Sequence, residues 1–238
     1  MNKKRIALIA IVAVLVGSFV FLYSKGWIHK TFEAGEVAIG VLSEAESQEP
    51  LAYIPDDPDA GVIFYPGGMV DYLAYAPLME ELESQNIAAI MLKTKTGLPM
   101  FESGLAEGVK DEYPNIDKWY IAGHSMGGIA AASFLAEHPE GFEGLILLAS
   151  YTTKDISDLD KKALLIYGTE DGVMNREMYE ENKELLPGYE EYIIEGGCHS
   201  YFADYGLKGE DTKPSISPQK QWTLTAGKIV EFVNRRSR

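Results

Sequence analysis

Cysteine is nearly absent from this sequence. The 238 residues hold one, Cys198, so no intrachain disulfide can form and a zinc site built from several thiolates is excluded. Histidine is scarce too, at four, so every candidate base can be weighed in turn. Basic residues are outnumbered, 21 Lys and Arg against 36 Asp and Glu, for a net charge of −15. Five of the 21 fall within residues 1–30, which contain no acid; 16 remain to face all 36 acids in the rest of the chain. A body this acidic repels polyanions and argues against a nucleic-acid partner. Internal repeats and low-complexity tracts are missing as well. Apolar residues are plentiful: 46% are hydrophobic against 24% charged. That is the mix of a chain folding around its own core, and the length suits one domain plus a short extra segment.

The extra segment is N-terminal. Met1–Arg5 is basic, and Ile6–Tyr23 follows as 18 residues without a charge, closed by Lys25. The run is near the lower limit for a helix crossing a bilayer. A cleaved signal peptide usually has a shorter apolar stretch and a small-x-small site; here Phe19, Phe21, Leu22, Tyr23 and Trp27 crowd its end. We read residues 1–5 as a cytoplasmic start, 6–23 as an uncleaved transmembrane anchor in the lipid bilayer, 24–35 as a linker and 36–238 as the folded domain. No cysteine lies near the span, which rules out a lipoprotein anchor. Lys3, Lys4 and Arg5 before the span outweigh Lys25 and Lys30 after it, which predicts an extracytoplasmic domain.

Within the domain, apolar runs alternate with helical patterns. Strands are expected at Glu36–Leu42, Leu51–Ile54, Gly61–Tyr65, Ile87–Leu92, Trp119–Ala122, Gly144–Ala149, Ala163–Tyr167 and Tyr189–Ile194. Helices are expected at Tyr72–Ser84, Glu102–Tyr113, Gly128–Glu137, Asn175–Leu186 and Gln219–Arg235, several of them stopped by proline. Residues 206–218 read as a surface loop. This alternation is that of an α/β fold with a mostly parallel sheet covered by helices on both faces.

Gly123-His124-Ser125-Met126-Gly127 lies between an expected strand and an expected helix. A G-x-S-x-G in that setting is a sharp turn that lifts the serine hydroxyl above the sheet; the other reading is a glycine-rich turn with an incidental serine. A serine hydroxyl needs a base. His29 adjoins the apolar span, His124 neighbours Ser125 and is expected to point elsewhere, and His138 lies at the far end of the helix. His199 follows the last strand, at the same sheet edge as Ser125. Asp171 follows the preceding strand and completes the order Ser125, Asp171, His199, with Glu170 as competitor. Backbone donors for an oxyanion are expected from Met126 and from Pro66-Gly67-Gly68-Met69, at Gly68 or alternatively Met69. Cys198 reads as a small buried packing residue rather than a nucleophile.

From about Gly61 to Arg235 the chain resembles bacterial α/β-hydrolases, near the compact dienelactone-hydrolase-like group. The residues that carry the resemblance are Tyr65-Pro66-Gly67-Gly68, Gly123-His124-Ser125-Met126-Gly127-Gly128, Gly168-Thr169-Glu170-Asp171-Gly172 and Gly197-Cys198-His199. It implies an eight-stranded sheet and hydrolysis through an acyl-enzyme, with no metal or organic cofactor. Two departures stand out. Dienelactone hydrolases proper carry cysteine where this chain has Ser125, and Ser150 to Lys162 is too short for the large lid of many relatives. An open site accepting small-molecule or surface-exposed esters is therefore expected. Amide, peptide or thioester cleavage on the same residues, or a binding protein on a hydrolase scaffold, are the competing readings.

Overall fold

The computed structural model describes residues 31–44, 51–207, 209–211 and 213–235. The expected anchor at 6–23 lies outside them. Among the described residues no helix is long and apolar enough to cross a membrane. Phe32–Arg238 forms one compact unit.

Seven strands make one sheet: β1 (Leu51–Tyr53), β2 (Ala60–Tyr65), β3 (Ile87–Met91), β4 (Trp119–His124), β5 (Gly144–Leu148), β6 (Lys162–Gly168) and β7 (Tyr189–Ile194). Their order is β1-β3-β2-β4-β5-β6-β7. Only β1 runs antiparallel, against β3; the other pairings are parallel. Among the described residues five helices flank the sheet: α1 (Glu36–Glu44), α2 (Ala76–Glu83), α3 (Met126–Glu137), α4 (Arg176–Asn182) and α5 (Pro218–Asn234). The two-residue period of a strand divides β2 between two cores. Val62 and Phe64 pack with Leu78 of α2 and Ile229 and Phe232 of α5, whereas Ile63 and Tyr65 pack on the opposite face with α3 residues Ala130 and Phe134 and α4 residue Tyr179. Each large side chain so buried contributes about 1.5–3 kcal/mol.

Three expectations are corrected. Glu36–Leu42 is helix α1, not a strand, which leaves seven described strands where the resemblance implied eight. Val37, Ile39 and Val41 favour a strand locally, but the Asp204 carboxylate accepts the Ala38 N–H at 2.9 Å and its carbonyl accepts that of Gly35 at 2.6 Å. A cap supplied from 166 residues away decides the conformation, and no local pattern announces it. Glu102–Tyr113 is not one helix but two short 3₁₀ turns, Ser103–Ala106 and Val109–Glu112. Gly108, at φ 78°, breaks the run between them. Finally, Phe32, read as linker, is fixed to the domain: it pairs with Val70, and its ring lies 5.3 Å from that of Tyr205.

Because β2, β4, β6 and β7 are parallel, the loops that follow them emerge at one edge. Those loops carry Gly68, Ser125, Asp171 and His199 respectively. The connection from β5 to β6 contains turns and no helix.

Candidate active site

Ser125 sits between β4 and α3 with φ 54° and ψ −125°. A non-glycine residue in that region costs on the order of 1–3 kcal/mol and persists only where its surroundings enforce it. Here they do. The Ser125 N–H donates to the Leu148 carbonyl at 2.9 Å, and the Ser125 carbonyl accepts from Gly128 N–H at 3.0 Å and from Ser150 Oγ at 2.6 Å. Two glycines allow the turn to close. A Cβ on Gly123 would stand 2.2 Å from the Gly127 carbonyl group, and one on Gly127 would stand 2.3 Å from the Tyr65 carbonyl oxygen. Ser125 occupies the N-cap position of α3, yet its side chain does not cap the helix. The half-buried hydroxyl is thus not spent on the backbone.

His199 and Asp171 meet directly. His199 Nδ1 lies 3.0 Å from Asp171 Oδ2, with both side chains shut off from solvent. The other carboxylate oxygen accepts the N–H groups of Val173 at 2.9 Å and Met174 at 2.8 Å. Burial alone would raise the Asp171 pKa. The hydrogen bond from His199, its charge, and the Met174 and Val173 N–H groups outweigh burial and hold the carboxyl below its usual range. His199 Nε2 is buried with no hydrogen-bond partner. The partner of Nδ1 is Asp171 and not Glu170. In this resting geometry Ser125 and His199 share the edge without a hydrogen bond between them, as is common before substrate arrives.

The glycine-rich loop after β2 separates its own candidates. Gly67 N–H donates to the Tyr75 hydroxyl at 2.8 Å, and Met69 N–H to the Gly97 carbonyl at 2.7 Å. Gly68 N–H has no such commitment among the described residues, and a Cβ on Gly68 would touch the Met126 side chain at 3.0 Å. Met126 opens α3, so its own N–H lies outside the helical ladder. The two expected donors are therefore neighbours, and Met69 is already engaged elsewhere.

Two residues escaped the sequence reading. His124, expected to point away, is fully buried with its ring centroid 4.6 Å from that of His199. Asp211, in a segment read as surface loop, accepts the N–H groups of His199 at 3.2 Å, Ser200 at 2.8 Å and Gly172 at 3.3 Å, and the Ser200 hydroxyl at 2.5 Å. It ties the histidine loop to the acid loop. Nothing in Gly209-Glu210-Asp211 distinguishes such a clamp from a solvated acid. Cys198 is fully buried; burial, assisted by the Asp211 carboxylate, pushes its thiol up to about 12. A thiol so held is protonated and inert at neutral pH.

A mostly parallel sheet, a strained strand-to-helix turn and an acid–histidine pair on successive loops define an α/β-hydrolase fold. The chain belongs to the alpha/beta hydrolase family, whose model matches residues 61–223. Solved structures agree on the fold. A protein described as a predicted CIB-like hydrolase from Thermoplasma acidophilum superposes with a TM-score of 0.55 at 16% identity, over 75% of this chain and 89% of that one. Est1E from Butyrivibrio proteoclasticus gives 0.54 at 14% identity, over 77% and 93%. No curated protein matches the chain by sequence.

Proposed function

We propose that this protein is a serine hydrolase that cleaves carboxylic esters through an acyl-enzyme on Ser125, in a compact dienelactone-hydrolase-like domain held to a membrane by residues 6–23. The observation that carries the reading is the asymmetry of His199. One ring nitrogen is bonded to a buried carboxylate, and the other is buried without a hydrogen-bond partner, on a loop that emerges at the same sheet edge as Ser125. An imidazole held in this way is a base with one available site.

The reaction follows. Ser125 Oγ attacks the ester carbonyl carbon as His199 Nε2 takes its proton. The carbonyl oxygen becomes an oxyanion and meets the N–H groups of Gly68 and Met126; one such donor is worth about 10²–10³ in rate. The Asp171 carboxylate stabilises the imidazolium. His199 returns the proton to the departing alkoxide, and the alcohol leaves. Water then repeats the sequence against the acyl group, releasing the acid and restoring Ser125. Every step uses groups of this chain.

The lidless β5–β6 connection supports small or surface-exposed esters as substrates. Short p-nitrophenyl esters should be turned over faster than matching anilides, thioesters and peptides. Faster cleavage of a peptide or thioester would replace the ester assignment with that chemistry. For the membrane arrangement, protease added to intact cells should digest the domain, and full protection would contradict the orientation.

A further inference from the structure

Tyr75 and His124 are buried, polar and unused by the reaction above. Both lie at its centre. The Tyr75 oxygen accepts the Gly67 N–H at 2.8 Å and lies 2.7 Å from His124 Nδ1. Burial pushes the Tyr75 phenol well above its usual range, so it stays a neutral O–H. Besides the Gly67 N–H, the phenol has His124 Nδ1 as its partner, and the His124 tautomer sets which of the two donates. The His124 ring lies against His199 on one side and at 5.4 Å from Phe202. A Cβ on Gly67 would come within 3.0 Å of the Tyr75 hydroxyl and 3.1 Å of His124 Nδ1, so the three groups are in close contact.

We propose that Tyr75 and His124 form a relay of positioning residues that joins the Gly68 donor to the base His199, an inference that rests on the serine-hydrolase reading. Tyr75 fixes the Gly67 N–H, and the Gly97 carbonyl fixes that of Met69. The Gly68 N–H is thereby held between two pinned peptides, facing the place where negative charge develops. His124 takes the other end of the relay and backs the His199 ring, whose Nδ1 is already held by Asp171. A displacement of about 1 Å in either element costs on the order of 10²-fold in rate, because catalysis depends on geometry fixed before the reaction.

The alternative is a satisfied buried pair with no catalytic consequence. The two make different predictions for Tyr75→Phe, which removes one oxygen atom and little volume. The relay predicts that kcat on p-nitrophenyl butyrate falls about 10–100-fold while KM changes less than threefold, since the lost alignment matters in the transition state. His124→Phe should fall similarly. His124→Asn, whose amide can accept from or donate to the Tyr75 hydroxyl, should recover at least about tenfold over His124→Phe, because it restores the bond that aligns the loop. The Tyr75→Phe/His124→Phe double variant should be no worse than either single one.

A Tyr75→Phe kcat within twofold of the parent, or fully additive single variants, would overturn the relay. Should Tyr75→Phe fail to fold, the comparison at position 124 decides: an Asn variant no better than Phe overturns the proposal. Fluorophosphonate labelling of the unmodified full-length protein separates the two layers. Labelling with unaffected Tyr75→Phe kinetics sinks the relay alone; absence of labelling sinks the serine-hydrolase reading and the relay with it.

Discussion

Replacing Ser125 by Ala should lower ester turnover by about 10⁴-fold or more, a loss on the order of 5.5 kcal/mol of transition-state stabilisation. The change removes one oxygen, and fold and stability should be nearly unaffected. Ser125 Oγ caps no backbone group, and the bonds that hold the turn are made by its N–H and carbonyl. Alanine retains both. It also retains the strained φ of 54°, with a Cβ of the same size. A melting temperature within a few degrees of the parent, alongside lost turnover of p-nitrophenyl butyrate, is the expected pair of results. Residual hydrolysis above the uncatalysed rate would come from the Gly68 and Met126 donors and from substrate binding.

Asp171→Asn should give the second large effect, a fall of about 10⁴-fold in kcat with little change in KM. The reason lies in which oxygen does what. Oδ1 accepts two backbone N–H groups, from Val173 and Met174. An asparagine keeps its carbonyl oxygen there, because an NH₂ would face two donors. Its NH₂ then points at His199 Nδ1 and donates where the carboxylate accepted. The imidazole is driven to the tautomer that carries its proton on Nε2, which cannot take one from Ser125. Asp171 also couples stability to pH. Its folded pKa is depressed, so its stabilising contribution is complete above the ordinary value of 3.8 and is lost as pH falls through the lower folded value. The variant lacks that contribution at every pH. The stability difference between parent and variant, measured by urea unfolding, should therefore be flat near neutrality and shrink below pH 3.8.

Most of the sheet was legible because parallel strands buried on both faces read as unbroken apolar runs. Gly144–Leu148 and Ile87–Met91 are of that kind. The turn at Ser125 was legible because its geometry demands small residues at Gly123 and Gly127 in fixed places. Asp171 and His199 followed from their positions after successive strands. Two of the failures share a cause, while the break at Gly108 is local. Helix α1 is capped by Asp204, and the histidine loop is clamped by Asp211; both contacts join segments remote in sequence. The choice between Gly68 and Met69 was open for a related reason: it depends on Gly97, whose carbonyl occupies the Met69 N–H. Adjacency to Ser125 predicts a His124 side chain turned away from the site, and sequence alone does not reveal its contact with His199. The loop after β7 brings the His199 ring to 4.6 Å from that of His124.

The most direct test is intact-protein and peptide mass spectrometry after treatment with a fluorophosphonate. A single adduct should appear on the peptide containing Gly123-His124-Ser125-Met126-Gly127, and it should be absent from Ser125→Ala. An unmodified parent, or an adduct that persists on another residue in Ser125→Ala, would contradict the assignment of Ser125 as nucleophile.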